Sequence, residues 1–172
     1  MSNLIKAMNP GAPITNEAEA TAAARASAIA IFIGVGVGIV GVVWTLMNPE
    51  IMQQAVAQAG ADSPEAAAAA ELGAAAGIWL GGGVVLIQLI FGVLQWRDPK
   101  KWIAILFIVL IALGILQTAA APMLAGMVPN APVVPMWQIA LSLVIMVVQI
   151  VLHVTGLRGI NRLEAMQMDM AR

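Results

Sequence analysis

The chain has 172 residues, of which 61% are hydrophobic and 10% are charged. Soluble domains carry about 25% charged residues, so this composition excludes an ordinary water-soluble domain, and the length allows one domain. The net charge of −1 excludes a basic nucleic-acid-binding surface, and the absence of cysteine excludes disulfides, thiolate nucleophiles and Cys-ligated metal sites.

Four apolar stretches without Asp, Glu, Lys or Arg dominate the chain, at residues 26–47, 73–96, 102–121 and 134–157. Each has about 20 residues or more, which is the length that a helix needs to cross a bilayer. The first is also longer than the apolar part of a signal peptide. We therefore predict an all-α fold, a four-helix transmembrane bundle in a single domain, with outer loops at 48–72 and 122–133 and a tail at 158–172.

The connecting segments contain recognisable helix-start and turn signals. Asn16 and Glu19 have capping-box spacing, which predicts a helix that begins near Glu17. In the first outer loop, Pro49 opens a stretch that we expect to form a short amphipathic helix on the outer membrane surface. Ser63 and Pro64 then predict the start of the next helix, with Ser63 as its cap. The turn "RDPK" at 97–100 predicts that the second and third membrane helices are antiparallel neighbours.

Small residues recur at helical spacing in the first two membrane helices. At about 100° per residue, one face of the first helix carries a narrow row of them, and the second helix carries glycines four residues apart. Small side chains let helix backbones approach closely in lipid, so these rows predict helix packing, within the bundle or in a homodimer. The helix-packing residues are Ala30, Gly34, Gly38, Gly41, Thr45, Gly73, Gly77 and Gly81.

The same stretch contains a G-x-G-x-x-G pattern at Gly36, Gly38 and Gly41, which has the spacing of a dinucleotide-binding loop. That loop requires a preceding strand and a soluble sheet. Because the flanking sequence is free of charges and long enough to span a bilayer, we reject this interpretation. No nucleotide cofactor is expected.

Polar side chains within the second and fourth apolar stretches predict a cluster in the inner half of the bundle. Hydrogen bonding between helices is the expected role, because the carboxylates and lysines that mark coupled transport are absent from the apolar stretches. A path for a solute or proton is the alternative, with His153 as the titrating group. The cluster comprises Gln88, Gln95, Ser142, Gln149 and His153, with Gln138 near the same arc.

All eight basic residues lie on one predicted side of the membrane. Under the positive-inside rule, this distribution predicts an inner-membrane protein with both termini in the cytoplasm. The residues are Lys6, Arg25, Arg97, Lys100, Lys101, Arg158, Arg162 and Arg172.

Two weaker patterns leave alternatives open. An offset of 61 residues aligns Gln88 with Gln149 and Arg97 with Arg158, which is compatible with a two-plus-two repeat. The Met123–Met127 spacing resembles the MxxxM motif of the three-helix trimeric copper importers, and the resemblance implies Cu(I) binding on the outer face. The number of helices differs from that family, so we expect these methionines to be apolar filler.

No nucleophile–base pair, paired carboxylate or metal-binding spacing is found along the sequence. We therefore expect a non-catalytic integral membrane protein without metal or cofactor. Its expected partners are the lipid bilayer and other transmembrane helices, in a homo-oligomer or as the accessory subunit of a membrane complex. A small transporter or channel that uses the polar cluster is the alternative.

Overall fold

The computed structural model describes residues 2–59, 63–125 and 134–171, and these residues form seven helices and no strand. The helices are α1 (Ser2–Ala7), α2 (Glu17–Ala24), α3 (Ala26–Met47), α4 (Pro49–Ala59), α5 (Pro64–Arg97), α6 (Lys101–Ala125) and α7 (Met136–Met170). Within the described ranges, four helical segments are long and apolar enough to cross a membrane: Glu17–Met47, Pro64–Arg97, Lys101–Met123 and Met136–Met170. The prediction of an all-helical chain with four such helices is confirmed.

The predicted helix starts are also confirmed by their capping contacts. The Asn16 side chain accepts a hydrogen bond from the Glu19 backbone N–H at 2.9 Å, and α2 begins at Glu17. The hydroxyl of Ser63 accepts a hydrogen bond from the Ala66 N–H at 3.1 Å, with Pro64 as the first residue of α5. These side chains satisfy backbone donors that the helix itself leaves without partners.

All four membrane-length helices are longer than the charge-free stretches from which they were predicted. Backbone hydrogen bonds run through Arg25, to Thr21 and from Ile29, so α2 and α3 form one nearly continuous helix of 31 residues. Helix α7 continues through the predicted tail to Met170, and its 35 residues are about 52 Å long, against about 30 Å for a hydrocarbon core. Part of α7 therefore extends outside any bilayer that the bundle spans.

The four long helices alternate in direction, and α3 and α7 are central. Helix α5 packs along α3, and α7 packs along both α2–α3 and α6. Helices α5 and α6, which the turn at 98–100 connects, meet through Phe91, whose ring lies 5.8 Å from Trp102 and 6.0 Å from Phe107. Helices α5 and α6, the predicted neighbours, are thus in aromatic contact. The backbone of α5 packs most closely against α3, and that of α6 against α7.

Both terminal segments lie at one end of the bundle, which we call the terminal end. The Arg158 guanidinium donates a hydrogen bond to the Pro10 carbonyl, and Lys101 forms an ion pair with Glu164. The opposite end, which contains α4 and the start of α5, is called the loop end.

The tightest packing in the chain joins α7 to α2–α3. A Cβ added at Gly156 would lie 2.5 Å from the Ser27 Cβ and 2.9 Å from its backbone nitrogen. A Cβ added at Gly159 would lie 2.7 Å from the Ala23 carbonyl carbon. Facing these glycines, α2 and the start of α3 contain fully buried small residues, namely Ala20, Ala23, Ala24, Ala26, Ser27, Ala28 and Ala30. The helices approach closely because no large side chain separates their backbones.

Replacing Gly159 with alanine should therefore destabilise the protein by about 1–3 kcal/mol, as overpacking commonly does. The atoms in the way belong to the backbone of α2, which cannot rotate aside as a side chain can. Gly36→Ala is the matched control, because a Cβ at Gly36 meets no atom of the described residues within 4 Å. Denaturation in detergent measures the free energy of unfolding of both variants. If Gly159→Ala is as stable as Gly36→Ala, the close contact at Gly159 is contradicted.

Candidate functional site

Two glutamine amides from different helices converge on one glycine of α3. The Gln149 Nε2 donates a hydrogen bond to the Ala30 carbonyl at 3.0 Å. A Cβ added at Gly34 would lie 3.0 Å from this nitrogen and 3.4 Å from the Gln88 Oε1. The missing side chain at Gly34 therefore provides the space in which both amides lie. We call these three residues the amide centre.

A partly open cavity of about 220 Å³ lies beside the amide centre, between four helices. Its lining includes Ile31 and Gly34 of α3, Gln88 of α5, Gly114 of α6, and Met146 and Gln149 of α7. All of its lining residues are uncharged. The two glutamines supply the hydrogen-bonding groups, so the cavity is suited to a neutral group that can donate or accept a hydrogen bond.

A groove of about 540 Å³ leads from the amide centre toward the loop end, between α3 and α5. Gly34 and Gln88 line both the groove and the cavity, so the two spaces meet at these residues. The helices are close at Gly38, where an added Cβ would lie 2.6 Å from the Val85 Cγ2. They separate toward the loop end, where Gly41 and Gly77 face open space within the groove.

The structure separates the predicted helix-packing residues into two groups. Gly34, Gly38 and Gly81 lie close to side chains of the same chain, and Ala30 is buried against Leu152. In the described ranges of the chain, a Cβ at Gly41, Gly73 or Gly77 would meet nothing within 4 Å. The Thr45 hydroxyl donates to the Gly41 carbonyl of its own helix at 3.0 Å.

Gln88 and Gln149 come together at Gly34, but the other predicted polar residues do not form one cluster with them. Gln95 is fully buried and accepts a hydrogen bond from the Lys100 backbone N–H at 2.9 Å, so it stabilises the turn between α5 and α6. Ser142 lies on α7 about two turns toward the loop end from Gln149. The exposed Gln138 lies farther in that direction.

His153 has a polar partner that sequence reasoning missed. Its Nδ1 lies 2.8 Å from the Ser27 hydroxyl, and its ring stacks on Phe107 with centroids 5.7 Å apart. Within the described part of the chain, the buried Nε2 has no hydrogen-bond partner. Serine and histidine can serve as nucleophile and base, but both are fully buried and neither lines the cavity. The pair therefore joins α3 to α7 without access for a substrate.

The cavity is bounded by bulky side chains toward the terminal end. Ile31 and Ile103 are almost fully buried, and they form one apolar cluster with Phe107. Nearer that end, the Arg25 guanidinium lies 5.1 Å from the centre of the Trp96 ring, an arrangement that provides a cation–π contact. The space around the amide centre therefore opens toward the loop end and the outside of the bundle.

The methionine pair with copper-importer spacing lies partly outside the described residues, because Met127 falls in the range 126–133. Among the residues that the structure describes, no group of three His, Cys, Asp or Glu side chains could hold a metal ion.

Glycine spacing in the sequence could have indicated two further close contacts between helices. Gly156 and Gly159 are three residues apart, a spacing that lets both contact one neighbouring helix. This pair was not identified from the sequence, because the last membrane helix was predicted to end near residue 157, between the two glycines. Gly92, where a Cβ would lie 2.7 Å from the Phe32 Cε1, follows the glycine row of α5.

Replacing Ser27 with alanine should destabilise the protein by about 0.6–1.7 kcal/mol, from the average to the largest value typical of hydrogen bonds between membrane helices. The variant removes the hydrogen-bond partner of the His153 Nδ1, so both ring nitrogens of this buried histidine would lack a partner among the described residues. Ser142→Ala is the control, because it removes a hydroxyl from the half of α7 nearer the loop end. Denaturation in detergent measures the stability of both variants. If Ser27→Ala and Ser142→Ala lose the same stability, the hydrogen bond does not have this role.

Comparison of the chain with protein-family models, with curated proteins and with solved structures found no match.

Proposed function

We propose that the chain is a non-catalytic, multi-pass membrane protein that packs against other transmembrane helices, in a homo-oligomer or as an accessory subunit. The observation that carries this proposal is the side of α5 that faces away from the groove, which we call the back face of α5. Helical geometry groups Trp79, Gly82, Gly83, Leu86 and Ile90 there. Among the described residues, a Cβ at either glycine would meet nothing within 4 Å.

Two adjacent glycines within a helix are unfavourable unless something offsets their cost. Glycine is about 1 kcal/mol less favourable than alanine in a helix interior, and neither Gly82 nor Gly83 brings another helix closer among the residues that the structure describes. Helix α5 also has only 6% of its most apolar window buried in the chain, against 33% for α7. A helix of another subunit on this face would gain close backbone contact, which is the main source of helix association in lipid.

The chemistry of the interior supports a non-catalytic role. The residues around the cavity are uncharged, and the buried Ser27–His153 pair does not line it. Catalysis by acid–base or nucleophilic groups requires them within hydrogen-bond reach of a bound substrate.

A small transporter or channel is the second candidate, and the continuity of groove and cavity at Gln88 favours it. A path across the bundle would also have to pass Ile31, Ile103 and Phe107, which are buried in one apolar cluster. This arrangement supports the packing function more strongly than transport.

We also propose that the terminal end faces the cytoplasm across an inner membrane. Basic residues of three segments, Lys6, Lys101 and Arg158, lie at this end, and the positive-inside rule associates such clustering with the cytoplasm. Helix α4 would then lie on the outer surface, where its Met52 and Val56 line a cleft against α5.

Replacing Gly83 with leucine should reduce association, because its side chain would separate α5 from a helix packed on the back face. We expect a smaller particle mass in mild detergent and loss of co-purifying subunits from native membranes. Gly36→Leu is the matched control, since Gly36 also faces open space but lies on α3. The proposal fails if Gly83→Leu keeps the particle mass and the co-purifying subunits of the Gly36→Leu protein.

Reporter fusions in a bacterial host test the orientation. Alkaline phosphatase fused after Arg172 should be inactive, and green fluorescent protein at the same position should fluoresce, because that end would remain in the cytoplasm. The phosphatase inserted at residues 60–62 should be active. The opposite pattern at both positions would overturn the proposed orientation.

A further inference from the structure

The groove is apolar and the cavity carries hydrogen-bonding groups, an arrangement that suits an amphiphile. The groove is lined largely by glycine and aliphatic residues of α3 and α5, among them Gly38, Gly41 and Val84. The cavity at its closed end contains both amides of the amide centre. Apolar contact is therefore available along the groove, and hydrogen bonding is available where it ends.

The amides at the closed end require polar partners. Gln149 uses one N–H for the Ala30 carbonyl, which leaves its second N–H and its carbonyl oxygen available. Gln88 lines both spaces, and its Oε1 would lie 3.4 Å from a Cβ added at Gly34, where the two spaces meet. A polar group in hydrocarbon without a hydrogen bond is costly, and no bulk water is available at this depth in a bilayer. A ligand with a hydroxyl or carbonyl group would satisfy these amides.

The dimensions and the absence of charge define the ligand further. The groove of about 540 Å³ falls within the range of small-molecule sites, about 300–1,000 Å³. The cavity of about 220 Å³ exceeds the roughly 30 Å³ share of a single water several-fold, so it has room for a small head group. An ionised head would be buried without a counter-charge, because the lining residues of both spaces are uncharged.

We propose that this groove and cavity bind a neutral, single-tailed lipid. Its hydroxyl or carbonyl head lies between Gln88 and Gln149, and its hydrocarbon tail lies in the groove between α3 and α5. The exposed groove residues Val37, Gly41 and Val84 give the tail access from the surrounding bilayer. The site goes beyond the proposed packing function and is independent of it, because association uses the back face of α5.

Photolabelling of the full chain in phosphatidylcholine nanodiscs tests this site. The probe is hexadecanol that carries a diazirine on its tail, and mass spectrometry locates the labelled residues. We expect saturable labelling of the groove residues of α3 and α5. Unlabelled hexadecanol should compete about tenfold better than hexadecane, which lacks the head, and about tenfold better than palmitate, whose head is charged.

Gln88→Leu should remove the preference for the alcohol over the alkane, because the amide that recognises the head is lost. Gln138→Leu is the matched control, since Gln138 is an exposed glutamine on α7 that lies outside both spaces. Gly34→Ala, which narrows the junction between groove and cavity, should also weaken labelling. If Gly34→Ala does not fold, the Gln88→Leu protein still decides the test. Equal competition by alcohol and alkane, palmitate competing as well as the alcohol, or wild-type preference in Gln88→Leu would each overturn the proposal.

Discussion

The close approach of α7 to α2–α3 is the contact on which the rest of the bundle depends. Apolar surfaces gain little by leaving lipid for each other, so helices in a membrane associate through dispersion contacts and hydrogen bonds. At Gly156 and Gly159 the backbone of α7 reaches the backbone of the opposing helix without intervening side chains. This contact sets the register in which Ser27 meets His153 and Ala30 meets Gln149. The amide centre therefore depends on packing that begins about two to three turns away, nearer the terminal end.

The two ends of the bundle differ in packing because their facing residues differ. Toward the terminal end, a large side chain meets a small residue where Phe32 of α3 lies against Gly92 of α5. Toward the loop end, Gly41 and Gly77 face open space within the groove, so α3 and α5 enclose space there. A glycine brings helices together only where the partner presents a side chain or backbone of matching shape. The same residue type thus makes a tight contact in one half and an open groove in the other.

Some polar groups of the interior hold helices together, and others line the groove and the cavity. Ser27 with His153, and Gln149 with the Ala30 carbonyl, join α3 to α7. Gln95 stabilises the turn between α5 and α6. Gln88 instead lines both the groove and the cavity. Since a polar group in hydrocarbon needs a partner, Gln88 and the remaining hydrogen-bonding positions of Gln149, which also lines the cavity, mark the part of the interior that can receive a ligand.

The sequence by itself determined the helical class, the four membrane-length helices, and the starts of α2 at Glu17 and α5 at Pro64. Charge-free length and capping chemistry are local properties, and they can be read without knowing what lies nearby. It also indicated that Gln88 and Gln149 belong to one region. Helical periodicity states which residues share a face, but the neighbour on that face depends on how separate helices pack. Only the tertiary structure therefore decided that Gly34 lies beside both amides and that Gly156 and Gly159 make the closest contact. It alone also decided that the space beside them ends at Ile31 and Phe107, because these properties arise from residues that are distant in the chain.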